Sequence, residues 1–183
     1  MSLFRSNYIR ALILGTSVMA CSDGKNSVGP SAQGLSVGEP SFTMGTGSTS
    51  TPLARATFSD PKDQNFNVKR ITGDWQVEIK SKPAFDIAVQ SIVFRPGGQS
   101  GWHSHPGPVF IQVVSGTMTF YESDDPTCTP IIRTAGQGYL DKGDHAHIAR
   151  NESEAPAQNL VTYFAPPGAA LKIDSPRPGN CPF

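Results

Sequence analysis

An all-β sandwich or barrel is the fold class this sequence predicts, on three observations. Short runs of strand character recur along the chain, and turn signals close most of them. Outside an apolar stretch near the N-terminus, no segment keeps a 3.6-residue apolar period over three turns. The length, 183 residues, suits one domain of ordinary size plus appendages.

The first twenty-one residues stand apart. Arg5 and Arg10 give a basic start, and Ala11 to Ala20 form a short apolar stretch that ends at Cys21. That order, charged then apolar, is the pattern of a secretory signal and is too short for a spanning helix. The ending Val18–Met19–Ala20–Cys21 resembles a bacterial lipobox, in which the cysteine carries lipid and becomes the new N-terminus. The alternative is an ordinary signal peptide cleaved nearby, with Cys21 incidental. Ser22 follows the cysteine, which points to the outer membrane as the destination of such a lipoprotein. Residues 22–57 are expected to be a flexible tether, because Ser22 to about Pro52 is rich in Gly, Ser, Thr and Pro and too poor in large apolar residues to offset the entropy of ordering. The domain is expected over 58–175, with a short tail at 176–183.

Within that domain the expected strands run as follows. Trp75 to Ile79 alternates apolar and polar residues, as a half-buried strand does. Ile87 to Phe94 is a longer run rich in β-branched residues, closed by Pro96–Gly97–Gly98. Val109 to Val114 and Thr117 to Tyr121 flank Ser115–Gly116, the strongest hairpin signal in the chain. Ile131–Ile132, Gly138 to Leu140, His145 to Ala149 and Leu160 to Phe164 complete the set. Trp102, Phe110, Tyr139, Tyr163 and Phe164 are either pocket or core, and core is the commoner fate of aromatic side chains.

Charge excludes several functions. Fifteen basic and fifteen acidic residues cancel, and no basic patch or acidic tract suggests nucleic acid or a solvating tail. No apolar run reaches the 18 or so residues that a spanning helix needs. Three cysteines fit an exported protein: with Cys21 lipidated, Cys128 and Cys181 remain as an even pair in an oxidising compartment. A bridge between them would pin the Pro-rich tail to the domain and stabilise it by about 4 kcal/mol in the chain-entropy model. The alternative is two unrelated free thiols.

The chemistry is concentrated in the histidines. All four fall in two His-x-His pairs, His103–Ser104–His105 and His145–Ala146–His147. Residues i and i+2 of a strand point to one face, so each pair can present two imidazoles to the same side of a sheet. If the two strands face each other, the imidazoles converge, and neutral imidazoles bind divalent transition metals. Two exposed His-rich turns without a ligand are the alternative. Every histidine lies in these pairs, so no Ser-His-Asp or Cys-His arrangement can be argued. The glycine clusters lack the strand-to-helix setting of a phosphate loop.

The residues around the pairs resemble a known family. Pro96–Gly97–Gly98, His103–Ser104–His105, the strand from Val109 and the turn at Gly116 resemble the first cupin motif. Gly136 to Asn151 resembles the second, in which a Pro-x-Gly turn precedes a histidine followed by asparagine; His147 and Asn151 keep that last spacing. The resemblance covers about half the chain, roughly Asp74 to Leu171. It implies a single-domain, type-2-like cupin: an all-β jelly-roll barrel (a double-stranded β-helix) enclosing a pocket between two sheets.

Two departures matter. The family's glutamate ligand falls at Val109, which cannot bind metal. Asp141 replaces the proline of the second motif, and one extra residue stands between Gly143 and His147. What remains is a three-His set, His103, His105 and His147, for a divalent transition metal such as Fe, Mn or Zn, with positions open for water, oxygen or substrate. His145 shares the parity of His147 and is a weaker alternative ligand, as is Gln112, although Gln112 points away from Val109's face on a regular strand. No catalytic residue is assigned.

Three-His cupins include thiol and carbon-carbon-cleaving dioxygenases, so the resemblance implies an exported, metal-dependent oxidoreductase acting on a small molecule. That step is analogy from fold. The alternatives are a non-catalytic module that binds or senses a small molecule or a metal, and a metal-free structural domain. Expected partners are a small-molecule ligand, no nucleic acid, and a membrane only through the lipid anchor. The expected location is the periplasm or the outer membrane of a bacterium, and the oligomeric state stays open, a dimer included.

Overall fold

The computed structural model describes residues 42–60 and 84–183, all within one compact unit. The signal and lipidation readings at 1–21, the tether over 22–41 and the strand expected at Trp75–Ile79 lie outside the described residues. Every described element is a strand, and every pairing between strands is antiparallel. The strands are β1 (Thr46–Phe58), β2 (Phe85–Gln99), β3 (His103–Ser104), β4 (Val109–Ser115), β5 (Thr117–Glu122), β6 (Ile131–Thr134), β7 (Gly138–Asp141), β8 (His147–Arg150), β9 (Ala157–Ala165) and β10 (Ile173–Asp174). They form the nearly closed barrel that the sequence predicts.

Neighbouring strands follow the order β10-β3-β8-β2-β9-β4-β7; β1 adds to β2, and β5 joins β8 to β6. The centre is β2, which pairs with β9 from Asp86↔Ala165 to Phe94↔Ala157 and reaches β8 at Gln99↔Arg150. Alternation sorts the side chains. On β4, Val109, Ile111 and Val113 face the core while Phe110, Gln112 and Val114 face out. On β9, Ala157, Asn159, Val161, Tyr163 and Ala165 are the buried set. The main core joins Phe94, Val109, Ile111, Met118, Phe120 and Tyr163 with their neighbours. A second cluster, Trp102, Tyr121, Ile148 and Cys181, lies beneath the tail.

Three expectations are corrected. The Ser115–Gly116 turn exists, with Gly116 at φ 74°, but the strands it joins do not pair with each other. β4 runs beside β9 and β7, whereas β5 runs beside β8 and β6. A Cβ on Gly116 would sit 2.6 Å from the Pro156 carbonyl oxygen, so glycine is needed for close packing as well as for φ. Second, the tether expected to Thr57 ends earlier, because Thr46–Phe58 is a strand. Its side chains are almost all exposed, so apolar pattern could not announce it; it is held by its ladder to β2, with a register shift at Pro52/Ala54. Asp86 fastens its end, accepting from Arg55 Nε at 2.6 Å, Thr57 Oγ1 at 2.6 Å and the Gly168 N–H at 2.9 Å. Third, β8 begins at His147 and not at His145.

The tail is docked as the cysteine count anticipates. Cys128 and Cys181 form a disulfide, with Cα atoms 5.4 Å apart. Trp102 Nε1 donates to the Phe183 carbonyl at 3.0 Å, and the Arg150 guanidinium lies 4.0 Å from the centre of the Phe183 ring.

Candidate metal centre

Three imidazoles meet inside the barrel. His103 on β3 is the direct cross-strand partner of His147 on β8, which places one member of each pair side by side. His105 follows two residues on, just past the end of β3. Ring centroids are 4.5 Å apart for His103–His147, 4.8 Å for His103–His105 and 5.2 Å for His105–His147. One nitrogen of each ring lies within 4.8 Å of the other two. That is close enough for one ion to bind all three at the roughly 2.1 Å of metal–imidazole bonds after small side-chain adjustments. All three residues are buried, at 6%, 5% and 1% exposure.

The backbone decides which nitrogens are free. His103 Nδ1 donates to the Gly101 carbonyl at 2.8 Å, and His105 Nδ1 donates to the Leu171 carbonyl at 2.5 Å. A ring that donates through Nδ1 keeps its lone pair on Nε2, the arrangement a metal ligand needs. Burial, and then the neighbouring imidazoles, push the pKa of His103 down to about 2. Burial is also the main cause that lowers His105 to about 4, with His147 second. Both rings are therefore neutral at pH 7 and need not lose a proton to bind a cation.

Asp141, at the end of β7, completes the surroundings. It is the cross-strand partner of Val109, the position that carries no carboxylate, and it is 1% exposed. Its Oδ1 accepts the Gly143 N–H at 2.6 Å. Its Oδ2 lies 3.6 Å from His105 Nε2 and touches His147 Nδ1. Burial works to raise the Asp141 pKa, but the His147 contact and the Gly143 N–H outweigh it and hold the carboxyl below its ordinary range. The approach to His147 is off the direction of a regular hydrogen bond, and neither Oδ2 nor Nδ1 has another partner. Three buried, convergent imidazoles, of which His103 and His105 are neutral, with an unpartnered carboxylate oxygen beside them, fit a divalent transition metal.

The centre opens onto a cavity of about 530 Å³. His103 and His105 form one wall, with Tyr163, Ile92 and Phe94 as apolar surface and Gln90 and Lys172 as polar groups. The volume suits a small molecule. Of the aromatic residues singled out in the sequence, Tyr163 lines this cavity, Trp102 lies under the tail, Tyr139 is core, and Phe110 is half-exposed.

The two weaker ligand alternatives are not part of the centre. Gln112 faces outward on β4, as the alternation from Val109 requires. His145 lies in the bend before β8, where the i, i+2 rule for strands does not apply, and its ring turns to the outside. There His145 Nε2 meets Glu122 Oε2 at 2.5 Å and Asp124 Oδ1 at 3.3 Å, and Nδ1 meets Asp144 Oδ1 at 2.7 Å. Partial burial works to lower its pKa, but the Glu122 contact, followed by those of Asp144 and Asp124, raises it overall. Sequence reasoning missed the contacts of Asp141 and of the Gly101 and Leu171 carbonyls. The one available signal was an acidic residue at the proline position of the second motif.

Residues 90–163 match the family model described as a cupin domain. No curated protein sequence matches the chain. Among solved structures, the chain is similar to a conserved protein with a double-stranded beta-helix domain from Klebsiella pneumoniae. That match has 21% identity, covers 49% of this chain and 75% of the other, and has a TM-score of 0.42. It is also similar to the cupin domain of an XRE family transcriptional regulator from Enterobacter cloacae, at 19% identity over 66% of this chain and 98% of that one, with a TM-score of 0.40. A polyketide cyclase from Streptomyces resistomycificus matches at 12% identity over 78% and 84% of the two chains, with a TM-score of 0.48. None of these likenesses bears on what this chain binds.

Proposed function

We propose that this chain is an exported, metal-dependent oxidoreductase of dioxygenase-like type, acting on a small molecule held beside a His103–His105–His147 centre. One observation carries the reading: three buried imidazoles converge while two of them spend Nδ1 on backbone carbonyls, so that their Nε2 lone pairs are free. A bound divalent metal would supply open positions for oxygen or substrate, as a Lewis acid or a redox centre. The protein's own part is to hold His103 and His105 neutral, to orient the three rings, to keep bulk water out, and to place a substrate in the 530 Å³ cavity against Tyr163 and Ile92. Because Val109 supplies no carboxylate, the ligand set is neutral and suits three-His chemistry better than a four-ligand site.

Metal analysis of the full chain, purified from its own compartment, tests the reading. About one equivalent of iron per chain, together with oxygen uptake when small thiols or diketones are added, would support it. Zinc or manganese with no turnover would instead favour a binding module, and no metal before or after loading would leave a structural domain. Export through the N-terminal segment, with lipid on Cys21, belongs to the same proposal. Cys21→Ser should move the protein from the membrane fraction to the soluble one, since acyl chains are what hold such a domain to a bilayer. Equal partitioning of the two proteins would count against lipidation.

A further inference from the structure

The geometry points to Asp141 as the positioning residue of the centre: its carboxylate holds His147 in the tautomer that turns Nε2 toward the metal. This inference rests on the proposed three-His site and goes beyond it, because the carboxylate is not itself one of the converging ligands. It begins from a pattern shared by the three rings. Nδ1 of His103 and Nδ1 of His105 each donate to an oxygen behind the ring. The oxygen behind Nδ1 of His147 is Asp141 Oδ2, which touches it, and neither atom has any other partner. An oxygen thus stands behind Nδ1 of each ring: two are carbonyls that accept hydrogen bonds, and the third is a carboxylate oxygen in contact with the ring but off the direction of a regular hydrogen bond.

Asp141 is itself held. The Gly143 N–H binds its Oδ1 at 2.6 Å, which leaves Oδ2 as the atom directed at the histidine. Gly143 has φ 80°, and a Cβ there would lie 2.5 Å from the Gly107 carbonyl oxygen, so the turn that presents this N–H accepts only glycine. The Asp141–Lys142–Gly143 turn therefore aims one carboxylate oxygen at His147. A carboxylate behind a ligating histidine fixes the tautomer, orients the ring and makes it a better donor to the metal. With Oδ2 3.6 Å from His105 Nε2 as well, the negative charge stands next to two of the three rings.

Asp141→Asn discriminates sharply, and it is nearly isosteric. The Gly143 N–H claims the amide oxygen, so the amide NH₂ must face His147. His147 would then accept at Nδ1 and carry its proton on Nε2, the nitrogen the metal requires. A similar inversion disables other His–Asp pairs when Asp becomes Asn. The test is a long-range ¹H–¹⁵N correlation on histidine-labelled, metal-free full chain, followed by zinc competition against a chromophoric chelator. His147 should carry its proton on Nδ1 in the wild type and on Nε2 in D141N, while the His103 and His105 signals stay in place and show the fold intact. Zinc affinity should fall about 10–100-fold. D141A, which removes the acceptor without inverting it, should show mixed tautomers and a smaller loss. A wild-type His147 protonated on Nε2, or D141N with unchanged tautomer and affinity, overturns the inference. A wild type with the expected tautomer that binds no zinc would overturn the metal centre and leave the Asp141–His147 pairing standing.

Discussion

His145 and His147 are two residues apart and do opposite things. His147 lies at 1% exposure in the barrel beside two neutral imidazoles and one carboxylate. His145 lies outside, in contact with carboxylates of Glu122, Asp124 and Asp144. In the inner group, burial drives the imidazoles His103 and His105 toward neutrality. In the outer group, the surrounding carboxylates favour the imidazolium. Residue type and local spacing are the same in both. Exposure and the charge of the neighbours decide which histidine joins the buried imidazole group and which stands among carboxylates that favour its protonated form.

The sharpest way to break this comparison is to remove one imidazole from each group. His103→Ala should lower metal affinity by more than the roughly 100-fold that losing a supporting partner costs, while His145→Ala should leave it within a few-fold. Titration of the full chain with zinc checks both, and equal losses would erase the distinction between the groups.

Cross-linking probes the outer region separately. The Cys128–Cys181 bridge closes the loop next to Asp124 and docks the tail over Trp102 and Tyr121. The double variant Cys128→Ser, Cys181→Ser should lose about 2–4 kcal/mol of stability in denaturant melts. Stoichiometric metal binding should survive below the melting point. Its loss there would mean that the inner group depends on the staple.

The pH dependence should have opposite signs in the two groups. His103 and His105 stay neutral when folded but take up protons below about 6.5 when unfolded. Their contribution is therefore complete above 6.5 and is lost as pH falls. His145 has a raised folded pKa, so what it adds is fully present below 6.5 and is lost as pH rises through its folded value. In metal-free protein, His145→Ala should flatten the alkaline side of the stability curve and leave the acid side alone. A change confined to the acid side would contradict the assignment.

The smallest effect is expected at Gln112, which faces outward from β4. Gln112→Ala should change stability by less than about 0.5 kcal/mol and leave zinc affinity unchanged. A measurable loss of affinity would return Gln112 to the site.

Much of this architecture was legible in the chain itself. β4 and β9 announce themselves because alternation is a local property, and Val109, Ile111 and Val113 or Val161 and Tyr163 must share a face wherever the strand lies. His103, His105 and His147 were legible for a related reason, since motif spacing around them marks positions and each pair has a defined parity. The free-standing cysteine pair likewise anticipated its bridge. Other features depend on what lies across space. β1 has almost no buried side chain, so only the ladder offered by β2 makes it a strand. The hairpin signal at Gly116 marked a turn, but which strands pair is decided by the path of the whole sheet, in which β4 lies between β9 and β7 while β5 lies between β8 and β6. Parity failed for His145 because its strand starts two residues later. Asp141 reads as a turn residue until the fold sets it behind His147 and opposite Val109. Periodicity, turn chemistry and cysteine count act along the chain and can be read there. Burial, charge environment and strand partners arise between segments distant in sequence, so only the folded barrel decides them.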